Sequence, residues 1–238
     1  MALPILETQS FDLTLPSADV KVKFRPFLVK EEKVLLQALE SEDQKQVVNA
    51  LKEIVSACTF GTLVVDDLPT FDLEYIFLNI RAKSVGEVAK LKILCPDDKK
   101  TYADVEVDLT KIEVQVDDSH TNNIVVDKDK KIGIIMKYPT LSAVDPSMDF
   151  TKEQTNKIFD LIANSIYQIY EGDKIYNTTD YTKEELNKFI ESLSTTAFSD
   201  IQNFYTTMPK LIHEIEVENP KTKVKSNVTL QGLTDFFG

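Results

Sequence analysis

The chain is poor in the residues that carry chemistry: its 238 residues include two cysteines, two histidines and six glycines. Cys58 and Cys95 are too few for a disulfide framework. The glycines form neither a GxxxxGKS/T nor a GxGxxG loop, the arrangements whose backbone N–H groups cradle phosphates, which argues against nucleotide binding. No apolar run approaches the roughly 18 residues needed to cross a bilayer. The opening MALPILETQS has no basic segment before its short apolar piece, so it does not read as a secretory signal. The chain is expected to be soluble and to act without export. No recognisable motif places a nucleophile beside His120 or His213, so acyl transfer has no support.

Positive charge is also in deficit, with 27 Lys and Arg against 39 Asp and Glu and a net charge of −12. Adhesion to DNA, RNA or anionic lipid needs clustered cations that release counterions, and this balance disfavours it. The carboxylates are interleaved with lysines, which reads mainly as solvated surface, with an acidic face aimed at a basic partner as the alternative. An acidic protein that targets a host factor by imitating nucleic acid would space its carboxylates regularly with few cations among them. The interleaved lysines count against it.

What is present is hydrophobic patterning of two periods. The segment FDLTLPSADVKVKFRPF alternates and breaks at Leu15-Pro16-Ser17, predicting two short strands joined by a turn. Helices are predicted near 29–40 and 43–58, the second opened by a Ser41-x-x-Gln44 capping box, with Cys58 continuing its apolar face as a buried thiol. In LPTFDLEYIFLNIRAKSVG, Leu73, Ile76, Phe77 and Ile80 recur at i, i+3, i+4 and i+7, predicting a helix over 68–83 with Pro69 in its first turn.

After Gly86 the period becomes two. Leu91, Ile93 and Cys95 pair with Val105, Val107 and Leu109 as a hairpin turned at Pro96-Asp97-Asp98-Lys99. Strand-like pieces follow near 112–116, 123–126 and 131–136, with a loop over 117–123. Thr151-x-x-Gln154 and Thr182-x-x-Glu185 predict two more helices, carrying Ile158, Leu161, Ile162, Ile169 and Leu186, Phe189, Ile190, Leu193 respectively. A third is predicted over 195–207. A hairpin spans 211–230, with Leu211, Ile215 and Val217 on one face.

These elements predict an α+β fold of helical segments and antiparallel hairpins, read either as two similar helix-then-hairpin halves or as a plain mixed arrangement. The predicted division is 1–138, with a hairpin near 88–109, and 139–238, with a hairpin near 211–230. The two are expected to pack together, with the boundary where Pro139 and Pro146 interrupt regular structure.

Metal motifs are incomplete. Cys95-Pro96-Asp97-Asp98 resembles a zinc-knuckle half-site, but Asp98 stands where a second cysteine would be and no CxxC exists in the chain, so an ordinary turn is favoured over zinc. Asp127-Lys128-Asp129 starts like a calcium loop but lacks its central glycine and terminal glutamate. His213 reads as a half-buried strand residue and His120 as part of a polar loop.

The run LPTFDLEYIFLNIRAKSVGE, then KLKILCPDDKKTYADVEVDL, then IGIIMKYPTL, resembles the baseplate protein family of T4-like tailed bacteriophages. The resemblance covers roughly residues 22–237 and is strongest over 68–141. It implies association with the central hub of a contractile-tail baseplate, as subunit or as hub assembly factor, and it carries over no catalytic residue. The resulting expectation is a non-enzymatic protein without cofactor or metal, whose partners are other hub or tail proteins and, if it stays in the hub, copies of itself in a ring. It would act in the host cytoplasm during assembly and, if retained, in the tail baseplate of the virion. Candidate partner-binding residues are Asp72, Tyr75 and Arg81 on the 68–83 helix, Pro96, Asp97 and Asp98 at the hairpin tip, and Leu233, Phe236 and Phe237 at the end. The last three fall within one helical turn, either folded back on the protein's own sheet or inserted into a neighbour. Tyr167, Tyr170, Tyr176 and Tyr181 form a further aromatic concentration suited to an interface or a core.

Overall fold

The computed structural model describes residues 8–41, 43–141, 143 and 155–237. The fold is mixed α+β, with small antiparallel sheets set against helices. The predicted Thr151-x-x-Gln154 helix start lies outside the described residues.

Strands β1 (Phe11–Thr14) and β2 (Lys21–Phe24) pair antiparallel, with Phe11 opposite Phe24. Helices α1 (Val29–Glu40) and α2 (Gln44–Cys58) follow as predicted. The cap between them differs from the sequence reading. Asp43 is the N-cap of α2 and accepts from the Lys45 N–H at 2.9 Å, while the Ser41 hydroxyl donates backward to the Ala38 carbonyl and closes α1. The Asp43 carboxylate stands immediately before the helix, where it can reach the free N–H groups, whereas Ser41 is two residues farther back.

Helix α3 (Thr70–Val85) begins after Pro69, which takes the N-cap position. It buries more than the single predicted face, since Phe71, Leu78 and Ala82 are covered along with Leu73, Ile76, Phe77 and Ile80. A helix apolar on several sides belongs at the centre of a core, and α3 packs on α2 and on the segments Lys210–Glu218 and Gly232–Phe237.

Strands β3 (Val88–Leu94) and β4 (Tyr102–Asp108) form the predicted hairpin, with Leu91 opposite Val105, and the two-residue β5 (Val114–Gln115) comes next. Then come β6 (Asn123–Asp127), β7 (Ile132–Met136), α4 (Thr155–Ser165), β8 (Ile166–Glu171), β9 (Lys174–Asn177), α5 (Lys183–Glu191) and α6 (Thr195–Thr207). The chain ends with β10 (Lys210–Glu218), β11 (Lys225–Gln231) and α7 (Gly232–Phe237).

Two compact units result, and they divide differently from the expected cut at 138/139. One comprises residues 1–115 and 210–238, the other 116–209. The second is thus an insertion, leaving the first at β5 and returning at β10, where Gln115 and Lys210 are ladder partners. Pro139 follows the end of β7, and Pro146 lies outside the described residues, but a domain boundary follows the hydrogen-bond ladders and the core. Here β7 pairs with β8 across that stretch, and the Lys137 N–H donates to the Ser165 carbonyl at 2.7 Å.

In the first unit, Leu78 and Ala82 of α3 meet Leu91, Val107, Leu211, Leu230 and Phe236. In the second, a sheet of order β6-β7-β8-β9 packs Ile124, Ile134 and Ile166 against Ile162, Ile190, Ile201 and Phe204 of the helices. Ile169, read as helical, lies in β8 instead: α4 stops at Ser165. The run Ile166 to Tyr176 is rich in isoleucine and tyrosine about a Gly172-Asp173 turn, and this β propensity overrides the helical spacing.

Candidate functional site: the clasped hairpin tips

The tips of the β3–β4 and β10–β11 hairpins have closely similar turns. In the first, the Cys95 N–H donates to the Thr101 carbonyl at 2.8 Å and the Lys99 N–H to the Cys95 carbonyl at 3.0 Å. In the second, the Asn219 N–H donates to the Val224 carbonyl and the Lys223 N–H to the Asn219 carbonyl, both at 2.9 Å. Each turn has proline second and a lysine at positive φ fifth, Lys99 at 52° and Lys223 at 62°. An L-residue in that region is uncommon and marks a specified turn.

The tips bind each other through side chains. The Asn219 amide donates to both Asp97 carboxylate oxygens at 2.9 and 3.1 Å, and the Thr222 hydroxyl donates to one of them at 2.5 Å. These bonds from Asn219, then Thr222, hold the Asp97 carboxyl below its ordinary value. Asp98 is spent on its own turn, accepting from the Thr101 hydroxyl at 2.6 Å and from the N–H groups of Thr101 and Lys100 at 3.0 Å. Those contacts lower its pKa strongly, the Thr101 hydroxyl contributing most. Beneath the clasp, Cys95, Ala103 and Val217 are buried and Ile93, Val105, Ile215 and Val228 pack on them. Burial raises the Cys95 pKa, and Asp97 and Asp98 add to it.

The positions matching a double zinc knuckle are therefore Cys95, Asp98, Asn219 and Thr222. Asparagine and threonine are not zinc ligands, and the Asp97 bonds do the tying in their place. Among the described residues no three His, Cys, Asp or Glu side chains gather as a metal site. The sequence predicts the 211–230 hairpin but not that its Asn219-Pro220-Lys221-Thr222 turn partners the Cys95 turn. The shared spacing, proline second and lysine fifth, was the available signal.

The remaining candidates fall at scattered positions. Asp72, expected on a partner-facing side of α3, is instead fully buried, its carboxylate accepting the Ser17 N–H at 3.2 Å and the Ser17 hydroxyl. Burial raises its pKa despite those bonds. It anchors the β1–β2 turn, because a buried carboxylate needs donors. Tyr75 and Arg81 are half-buried; burial raises the phenol pKa and lowers that of the guanidinium. Pro96 is exposed at the tip. Phe236 is fully buried against the protein's own core, which corrects its assignment as a partner-binding residue. The side chains of Leu233 and Phe237 lie outside the described residues.

His120 is no simple loop residue. Its Nδ1 lies 2.9 Å from the Thr207 hydroxyl and its Nε2 3.0 Å from that of Tyr138, with the ring stacked on Tyr138. Burial lowers its pKa, partly opposed by Asp117. His213 is half-buried in β10 opposite Leu230. Asp127 accepts from the N–H groups of Asp129 and Lys130 at 3.0 Å and forms a plain turn.

Cys58 lies beneath an ion pair at the junction of β2, α1 and α2. An Arg25 guanidinium nitrogen donates to Glu31 at 2.8 Å, and another lies 3.8 Å from the Cys58 sulfur. Burial pushes this thiol up to about 11. A buried thiol so far from ionisation is an unreactive structural cysteine.

No helix among the described residues is long and apolar enough to cross a membrane. No curated protein and no solved structure matches the chain. One family model, described as T4 bacteriophage base plate protein, matches residues 8–238. Both hairpins, α3 and the whole inserted unit fall within that match, and the chain belongs to the T4 bacteriophage base plate protein family.

Proposed function

We propose that this protein is a non-enzymatic component of the baseplate hub, as a subunit or an assembly factor, and that it works through contacts with other hub or tail proteins. The match of residues 8–238 to the base plate family is the observation that carries this reading. Its surface chemistry supports it. Val29 is 80% exposed, and Leu36 and Leu39 on the same helix are about half exposed. Val29 and Leu36 stand two turns apart on one side of α1, and clustered exposed apolar groups mark protein-binding surfaces.

In this reading the protein acts in the infected cell's cytoplasm, and a retained subunit occupies the tail of the particle, several copies closing a ring. Quantitative mass spectrometry of purified virions and of isolated assembly intermediates tests it. Stoichiometric copies in virions identify a subunit, and presence in intermediates alone identifies an assembly factor. Absence from both refutes the proposal.

A further inference from the structure

The inserted unit carries a second feature that the clasped tips do not use. Strand β9 is an edge of the sheet β6-β7-β8-β9. Between β8–β9 and α5 lies a cleft of about 370 Å³, large enough for a bulky side chain and within the usual size of ligand pockets. Ile169 and Tyr176, which are cross-strand partners, line it together with Leu186 and Phe189 of α5. Tyr181 adds a further ring, 6.3 Å from that of Tyr176 and 41% exposed.

Two exposed carboxylates, Glu171 and Glu185, also line the cleft. Glu171 accepts from the Tyr176 hydroxyl at 2.9 Å, and Glu185 from the Thr182 N–H at 2.8 Å. A carboxylate has about four acceptor positions, so both retain capacity for a cation. From Glu171 to Glu185 the chain has five carboxylates and two lysines. Lys183 is held by Asp160 at 2.8 Å, and Lys174 lies over the Tyr176 ring at 4.4 Å. Lys131 and Lys188 also border the cleft, but the two charged side chains among its lining residues are both carboxylates, and it lies beside a strand edge. An edge strand presents backbone donors and acceptors to an added strand, and alternate side chains of that strand then enter pockets on one face.

We propose that this cleft docks an extended basic segment of a partner protein, which adds along β9, inserts one large apolar side chain between Tyr176 and Phe189, and places flanking Lys or Arg near Glu171 and Glu185. The proposal rests on the reading of the chain as a protein-binding component for the class of occupant. Charge complementarity selects the sign.

The chain contains no tryptophan, so a tryptophan in a peptide reports binding without background. The probe is a capped nonapeptide alternating lysine and valine about a central tryptophan, titrated with the full-length chain. The expected result is a saturable blue shift, weakened at least tenfold when glutamate replaces the lysines. Tyr181→Ala should weaken it at least fivefold, and Glu171→Gln about threefold with a shallower salt dependence. Tyr102→Ala, in the other unit, should leave it unchanged. Amide shift perturbations in the unmodified protein provide a readout independent of the variants and should concentrate in residues 169–189. No saturable shift, equal affinity for the lysine and glutamate peptides, or perturbations centred elsewhere would overturn the proposal. These outcomes concern the cleft alone. A chain that binds the peptide yet is absent from virions and intermediates would instead refute the hub reading.

Discussion

Replacing Phe236 by alanine separates two roles for the end of the chain, a plug in the protein's own core or an anchor for a neighbour. The ring is fully buried, and α7 packs on α3, β3, β10 and β11. Deleting a buried phenyl group loses its transfer free energy and leaves a cavity, together about 3–5 kcal/mol. A six-residue terminal helix yields more readily than an interior element, which places the expected loss near the lower end, about 3 kcal/mol. With a urea dependence of roughly 2–3 kcal/mol per M, the midpoint for the first unit should fall by about 1 M. Urea titration followed by circular dichroism gives the midpoint. Hydrogen exchange of amides in α3, β10 and β11 assigns the loss to that unit, because the inserted unit need not unfold with it. A midpoint shift below about 0.3 M, with exchange unchanged, would refute the plug and return Phe236 to the role of an intermolecular anchor.

Other perturbations test the remaining parts of the account. Asn219→Ala removes two of the three side-chain bonds to Asp97, and alkylation of Cys95, 1% exposed under the clasp, should accelerate at least tenfold while Cys58 stays protected; unchanged protection of Cys95 would show that the apolar packing alone holds the tips. Arg25→Leu leaves the buried Glu31 carboxylate with the Leu28 N–H at 2.8 Å and the exposed Lys30 ammonium at 3.4 Å but without its buried counter-charge, and a loss of about 3 kcal/mol in chemical denaturation is expected for such a broken buried pair. Burial pushes the Glu31 pKa up, but bonds from Arg25 and Leu28 outweigh it and leave the group below its ordinary value of 4.5. Its contribution is therefore complete above that value and is lost as pH falls through the folded pKa, so Glu31→Gln should flatten the acid limb of the stability profile. At Gly133 an added Cβ would overlap the Tyr170 ring, and Gly133→Ala should cost about 1–3 kcal/mol and disrupt the Tyr170 hydroxyl bond to Asn123, visible as an altered tyrosine resonance.

Local structure was legible where pattern and turn chemistry agreed. Alternation from Val88 to Leu94 and from Tyr102 to Asp108, with a proline-containing turn between, read directly as a hairpin. Helix α3 was visible from its i, i+3, i+4, i+7 spacing. The strand at Ile166 was not, because Ile162, Ile166 and Ile169 also satisfy a helical spacing and only the Gly172-Asp173 turn distinguishes the two. The insertion was hidden for a different reason: the pairing of Gln115 with Lys210 spans 95 positions, and no local signal reports a contact so distant. The clasp has the same character. Asp97 looked like a free acidic tip because its partners, Asn219 and Thr222, lie more than 120 residues away. Asp72 looked exposed because a carboxylate seldom sits inside a helix core, and Ser17, which makes that position tolerable, lies 55 residues upstream.

The central claim is that this member of the base plate family acts by binding other baseplate proteins. The most direct measurement is affinity capture of the tagged full-length chain from infected cells, with the co-purifying proteins quantified by mass spectrometry. The account predicts other baseplate hub or tail proteins in fixed stoichiometry, lost on substitution of the exposed α1 residues Leu36 and Leu39. Capture of host proteins alone, or of none, with the tagged phage still assembling normally, would contradict it.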